Sequence, residues 1–158
     1  MKNILTKKAM TLFELLAVIV IIGIIAAIAF PTVNRLIKNS RMDTVVAQAN
    51  MFVSAAKTEA LAEYVISEKS GTYVFTIGDV DDVDVEEYVE EIVEEIELDT
   101  DFQDVTKGYV VVVVSSEGNI ESVVLIVFEY NGFNLKEPVT IVGKESENPE
   151  KLSRKHFE

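Results

Sequence analysis

Cysteine and tryptophan are absent from this chain, histidine occurs once, and glycine and proline number only seven and three in 158 residues. Without cysteine there is no disulfide framework, no thiolate metal site and no thiol nucleophile, so stability has to come from packing alone. Basic residues are outnumbered: 14 Lys and Arg against 27 Asp and Glu leave a net charge of -13 and a pI near 4.5. A general nucleic-acid binder needs clustered cations to meet a phosphate backbone, so direct nucleic-acid binding is not expected. Also missing are a phosphate-cradling glycine loop, spaced metal ligands and a nucleophile motif. The single histidine, His156, lies in a polar C-terminal stretch. The carboxylates are so numerous that chance alone brings acids together, and paired acids therefore point to no acid-base chemistry. The residues predict neither a catalytic site, nor a bound metal, nor a cofactor.

What the chain has in abundance lies near its start. From Leu15 to Phe30 run 16 apolar or small residues, and extension back to Met10 gives 21 positions interrupted only by Thr11 and Glu14. At 1.5 Å per residue that is about 31 Å, close to the hydrocarbon thickness of a bilayer. A plain single-pass anchor is one reading. A cleaved secretory signal is a second, with Lys2, Lys7 and Lys8 as the basic region and Ala27-Ile28-Ala29 as a small-x-small site. Glu14 counts against both, since an ionisable group within a span costs a few kcal/mol and calls for a counter-charge. In a third reading the chain is cut between Ala9 and Met10. The three lysines leave, and a new α-amine appears at Met10, one helical turn from Glu14. Its reference pKa of about 7.7 to 8.0 keeps it mostly protonated at neutral pH, able to pair with Glu14 of its own or a neighbouring chain. Loss of the lysines also spares an apolar helical bundle the cost of desolvating them.

The stretch KKAMTLFELLAVIVIIGIIAAIAFP resembles the N-terminus of type IV prepilins and their pseudopilin relatives, a likeness covering roughly a third of the chain. Thr11, Leu12, Glu14, Leu15 and Leu16 stand where that family's pattern wants them, and Pro31 matches its helix-bending proline. Ala9 replaces the usual glycine before the cut and Met10 the usual phenylalanine after it. The resemblance implies cleavage after Ala9 by prepilin peptidase and methylation of the new N-terminus at Met10. Glu14, with Thr11, Leu12, Leu15 and Leu16, then sets register and assembly in the filament. It further implies a membrane-embedded assembly platform and self-polymerisation into a filament with or without minor pilins. The subunit would sit in the bacterial cytoplasmic membrane with its globular part outside, and after assembly in a surface filament or a periplasmic or cell-wall pseudopilus. Lys2, Lys7 and Lys8 before the span are balanced by Arg35, Lys38 and Arg41 after it, so orientation rests on the resemblance. Adhesion, motility, DNA uptake and secretion all remain open as the filament's service. The reading from a different class is a monomeric, single-pass, membrane-anchored extracytoplasmic binding module.

Beyond Pro31 the pattern predicts a continuing helix, kinked between Ala27 and Pro31 because proline removes a donor and crowds the preceding turn. Gly23 and Ala27 are spaced for close helix approach, although small residues are common in membrane helices. Val33, Leu36, Ile37, Met42, Val45, Val46, Ala49, Phe52, Val53, Ala56, Ala60 and Tyr64 recur at three- and four-residue steps, the mark of an amphipathic helix ending near Ser70-Gly71. Phe13, Phe30, Phe52 and Tyr64 read as packing rather than as an electron path. Thr72 to Ile77 predicts a short strand. The tract Asp79 to Asp104 holds 14 Asp and Glu and no Lys or Arg. Within it Val85, Tyr88, Val89, Ile92, Val93 and Ile96 keep helical spacing behind an Asp84/Glu87 capping box, so a short acidic helix is predicted. A calcium loop at Asp79, Asp81, Asp82 and Asp84 lacks the glycine and distal glutamate of an EF-hand, and a solvated acidic face is favoured.

Strands are predicted at Tyr109 to Ser115, Ile120 to Tyr130 and Phe133 to Val142, with turns at Ser116-Glu117-Gly118-Asn119 and at Asn131-Gly132, a type I′ signal. The unbroken Val110 to Val114 predicts a strand covered on both faces. The expected organisation is leader 1-9, filament-core helix half 10-30, amphipathic half 31-70, α+β head 71-143 and a fraying tail 144-158. The expected fold is α+β and pilin-like, a long N-terminal helix packed on an antiparallel meander.

Overall fold

The computed structural model describes residues 12–80, 92–98, 102, 104–143 and 149–158. Its first element, α1, is a 56-residue helix from Leu12 to Ser67 that runs through Pro31. The chain divides into two compact units, Met1–Ser40 and Arg41–Glu158, so α1 contributes its first half to one and its second half to the other. The helix stops at Ser67 rather than at the glycine, because Glu68 turns into the left-handed region with φ of 56°.

Within the second unit α1 buries one stripe: Val45, Ala49, Phe52, Val53, Ala56 and Ala60. Three of these six are alanines, which let the helix backbone approach the sheet, while Phe52 supplies the volume. Met42, Val46 and Tyr64 flank the stripe and are half-buried. The expected stripe is therefore shorter than its periodicity, because Val33, Leu36 and Ile37 fall in the first unit and are exposed.

Among the described residues six strands form one mixed sheet: β1 Gly71–Ile77, β2 Ile92–Glu97, β3 Val105–Val114, β4 Ile120–Tyr130, β5 Phe133–Asn134 and β6 Val139–Val142. The order is β2-β1-β3-β4-β5, with β6 also pairing on β4. The α+β class holds, and β3, β4 and β5 follow one another as antiparallel neighbours, but β2 lies parallel to β1 at the far edge. This corrects the simple meander.

The helix expected over Ile92, Val93 and Ile96 is instead β2; the rest of the tract expected as helix, with its capping box, lies outside the described residues. The register explains the misreading. Thr72 pairs with Ile92 and Tyr73 with Glu94, so Val93 is an extra residue. That one-residue slip changes which side chains face inward, and Val93 and Ile96, three apart, both reach the main core. A bulged strand thus imitates helical spacing. The same device operates in β4, where Tyr109 pairs with Val127 and Val110 with Leu125, leaving Ile126 extra. Leu125 and Phe128 consequently share the helix-facing side.

Gly71 is needed where β2 meets β1. Its φ is 143°, and a Cβ there would lie 2.5 Å from Val93 Cγ2. Its role is close strand approach, not the helix stop expected of it. The Asn131-Gly132 turn has φ of 49° and 76°, both positive as a type I′ hairpin requires. After it the expected continuous strand breaks into β5 and β6, because Pro138 has no N–H to give to a ladder.

Both sheet faces are covered at β3, as the run of valines predicts. Val110, Val112 and Val114 join the helix-side core with Tyr73, Phe75, Val123 and Leu125, while Tyr109, Val111, Val74 and Ile126 form a second cluster on the opposite face. The expected fraying at the C-terminus does not hold for 149–158. Leu152 and Phe157 are buried in the main core, and Asn134 and Glu158 exchange two backbone hydrogen bonds of 3.1 Å each. The polar composition hid two apolar anchors.

Candidate functional site

Two regions were candidates for function: the apolar half of α1, and the head surface that carries His156. Each is built differently. In the first unit, every large apolar side chain from Leu12 to Phe30 is exposed, Leu12 at 85% and Leu16, among the more covered, still at 49%. Leu12 and Leu15 share this surface with Leu16, and Glu14 stands in the first turn of the helix. Ala9, Met10 and Thr11 lie outside the described residues. Around Gly23 nothing approaches within 4 Å of where a Cβ would stand, leaving an open notch one turn before Ala27. At Pro31 the missing N–H leaves a gap in the ladder, and one turn of side-chain bonding sits beside it: Thr32 Oγ1 donates to the Ile28 carbonyl at 3.4 Å. By length and composition α1 is the one helix among the described residues able to cross a membrane.

On the head, a cleft of about 400 Å³ is lined by Lys136, Glu137, Pro138, Thr140, Glu150 and His156 among others. His156 sits in a single 3-10 turn, Arg154–His156. Its Nδ1 accepts from the Ser153 N–H at 3.1 Å, which places the ring proton on Nε2, 3.0 Å from Glu150 Oε2. Both ring nitrogens are therefore engaged, and neither is free to take a proton from a substrate in this arrangement. Glu150 also accepts from Lys155 Nζ at 2.6 Å. That bond, and then the one from His156, holds its carboxyl below the usual carboxylate range. Beside it Arg154 grips Asp43 of α1 through two contacts of 2.5 Å, lowering the Asp43 pKa and raising its own. Sequence reasoning missed this ion pair, which spans 111 residues. The only local signal for a docked terminus was the apolar pair Leu152 and Phe157 in an otherwise polar segment.

On the opposite sheet face, burial and then the Glu95 carboxylate push the Tyr109 hydroxyl pKa up. Of the four aromatics expected to pack, only Phe52 enters the core fully. It meets Phe102 edge-on at 5.8 Å and Phe128 at 5.9 Å, and Phe128 in turn meets Phe157 at 6.3 Å. Tyr64 is half-buried and donates to the Ser116 carbonyl at 2.8 Å, whereas Phe13 and Phe30 are exposed. Among the described residues no group of three or more His, Asp or Glu is placed to hold a metal ion; Asp81, Asp82 and Asp84 lie outside them.

No protein-family model matches this chain, and neither a curated protein nor a solved structure matches it.

Proposed function

We propose that this chain is a structural subunit of a type IV-like pilus or pseudopilus, cut after Ala9, methylated at Met10 and polymerised through Leu12 to Phe30. The observation that carries the reading is the exposed apolar surface of the first unit, with a carboxylate, Glu14, at its start. An apolar helix face of this extent needs lipid or other helices around it. In the membrane it is covered by acyl chains; in a filament, by the same helix of neighbouring copies. Glu14 then meets the α-amine created at Met10, and because a charge pair in an apolar bundle is worth most when both groups are close, it fixes the axial step between subunits. Prepilin peptidase and a membrane-embedded assembly platform are the partners this reading requires.

The N-terminus of the purified protein tests the first step. Intact-mass spectrometry is expected to give a chain that starts at Met10 with one added methyl group. A chain that starts at Met1 favours the monomeric membrane-anchored binding module instead, and one that starts at Phe30 favours a secreted protein. The second step is tested by Glu14→Ala, which is expected to abolish filaments while leaving the head folded. Normal filament yield in that variant would sink the register role.

A further inference from the structure

Charge is distributed unevenly along this chain. Between Leu15 and Met42 there is no Asp or Glu, and the charged side chains are Arg35, Lys38 and Arg41. From residue 43 onward there are 26 Asp and Glu against 8 Lys and Arg. A head of that charge is repelled by an anionic membrane surface over about a Debye length, 8 to 10 Å. The cations that precede it sit where they can offset that repulsion.

Arg35 and Lys38 belong to the first unit, and both are exposed. Three residues apart on an α-helix, they stand about 60° from one another around the axis and so share a face. They follow Phe30 by five and eight residues, about 7.5 and 12 Å along the axis. With the span ending at Phe30, the headgroup layer begins there and is about 5 to 7 Å deep. Long cationic side chains bend back toward phosphates from such positions. We infer that Arg35 and Lys38 form a docking face for the phosphates of anionic phospholipids in the leaflet on the head side. The inference rests on the membrane-spanning reading of Leu12 to Phe30.

Geometry favours lipid over a second copy as the occupant. Two subunits with their spans side by side at one depth bring Arg35 and Lys38 of one beside the same residues of the other. Neither stem offers a carboxylate between residues 15 and 42. Like charges then face one another, and lipid phosphate is the counter-charge available at that depth. Removal of Lys2, Lys7 and Lys8 with the leader would leave this face as the main cationic grip on the bilayer, and entry into a filament would have to release it.

The test uses the full-length chain in nanodiscs of equimolar phosphatidylglycerol and phosphatidylcholine, followed by gentle detergent extraction and mass spectrometry of the lipids retained. Wild type is expected to retain phosphatidylglycerol over phosphatidylcholine by about fivefold per cation, and Arg35→Gln/Lys38→Gln to fall to the bulk ratio. The enrichment is also expected to collapse at about 0.5 M salt. A control with the same charge change on the head, Lys69→Gln/Lys151→Gln, is expected to keep the wild-type ratio. Equal enrichment in wild type and the stem variant overturns the inference, as does an equal loss in the head control. So does a stem variant whose self-association weakens in phosphatidylcholine alone, since the face would then serve a second copy. A chain that does not sediment with membranes overturns the membrane reading and this inference together; one that sediments without enrichment overturns only this inference.

Discussion

The two halves of α1 obey one helical geometry and solve opposite problems. From Arg41 to Ser67 the buried apolar residues keep to one stripe that shares a core with the sheet, while Met51, Val65 and Ile66 stay exposed off it. From Leu12 to Ser40 the apolar residues go all the way round, and none is buried. A stripe asks for one partner surface within the same chain, whereas an all-round apolar cylinder asks for an apolar solvent or for several copies of itself. Backbone conformation says little about function here; angular distribution of side chains says much more.

The comparison is broken most severely at Phe52. Phe52→Ala removes the ring that Phe102 and Phe128 pack against and is expected to destabilise the head by about 3 to 5 kcal/mol. Leu16→Ala on the other half is expected to leave the thermal unfolding of the head within about 0.5 kcal/mol of wild type, since that side chain is half exposed and outside both core clusters. Thermal melts of the two full-length variants, followed by circular dichroism, decide it. Similar losses in both would mean that the halves do not divide the work this way.

A smaller effect is expected at the edge of the sheet. Gly71→Ala places a methyl group against Val93 at a φ of 143°, where side chains are strained, and a loss of about 2 kcal/mol is expected in chemical denaturation. An unchanged midpoint would show that β2 yields freely and adds little to the head.

The smallest effect concerns the C-terminal segment. Asp43 and Glu150 both have folded pKa values below their ordinary ones, because of the bonds from Arg154 and from Lys155 and His156 respectively. Carboxyls with lowered pKa stabilise the fold above their unfolded values, about 4, and lose that contribution as pH falls from there through the folded values. The ring resonances of Phe157 are therefore expected to hold steady from pH 7 to about 5 and to move toward unfolded positions at lower pH, earlier than those of Phe52. Simultaneous movement of the two rings would mean that the terminus is no separate clasp. Because the pairs are exposed, the shift is expected to be modest and to shrink in salt.

How far the chain could be read depended on what carried each signal. Periodicity located the long helix and its buried residues from Val45 to Ala60, since a 3.6-residue repeat is local and survives without knowledge of the partner. Turn chemistry located Asn131-Gly132, because positive φ at both positions selects those residue types. The same periodicity misled at Ile92 to Ile96, where a one-residue slip in pairing brought residues three apart to one side of a strand. No window of sequence contains that information, because the slip is defined by β1. In the Phe133–Val142 run the apolar pattern continues across Pro138, but the ladder does not, because proline has no N–H to donate.

The exposed apolar surface of the first unit was legible in the order of residues alone, since Glu14, the apolar run and Pro31 are neighbours in sequence. The docked terminus was not. Leu152, Arg154 and Phe157 lie in a segment whose average is polar, and their partners Asp43, Phe128 and Leu135 come from distant elements. Length, charge, the absence of disulfides, a helix apolar and long enough to cross a membrane and the α+β class followed from the sequence by itself, because each depends on composition or on contacts within a turn or two. Strand order, the parallel edge, the register slips and the closing of the C-terminus over the core were decided only in three dimensions. Those features depend on which distant surfaces fit together, and short-range chemistry does not encode that choice.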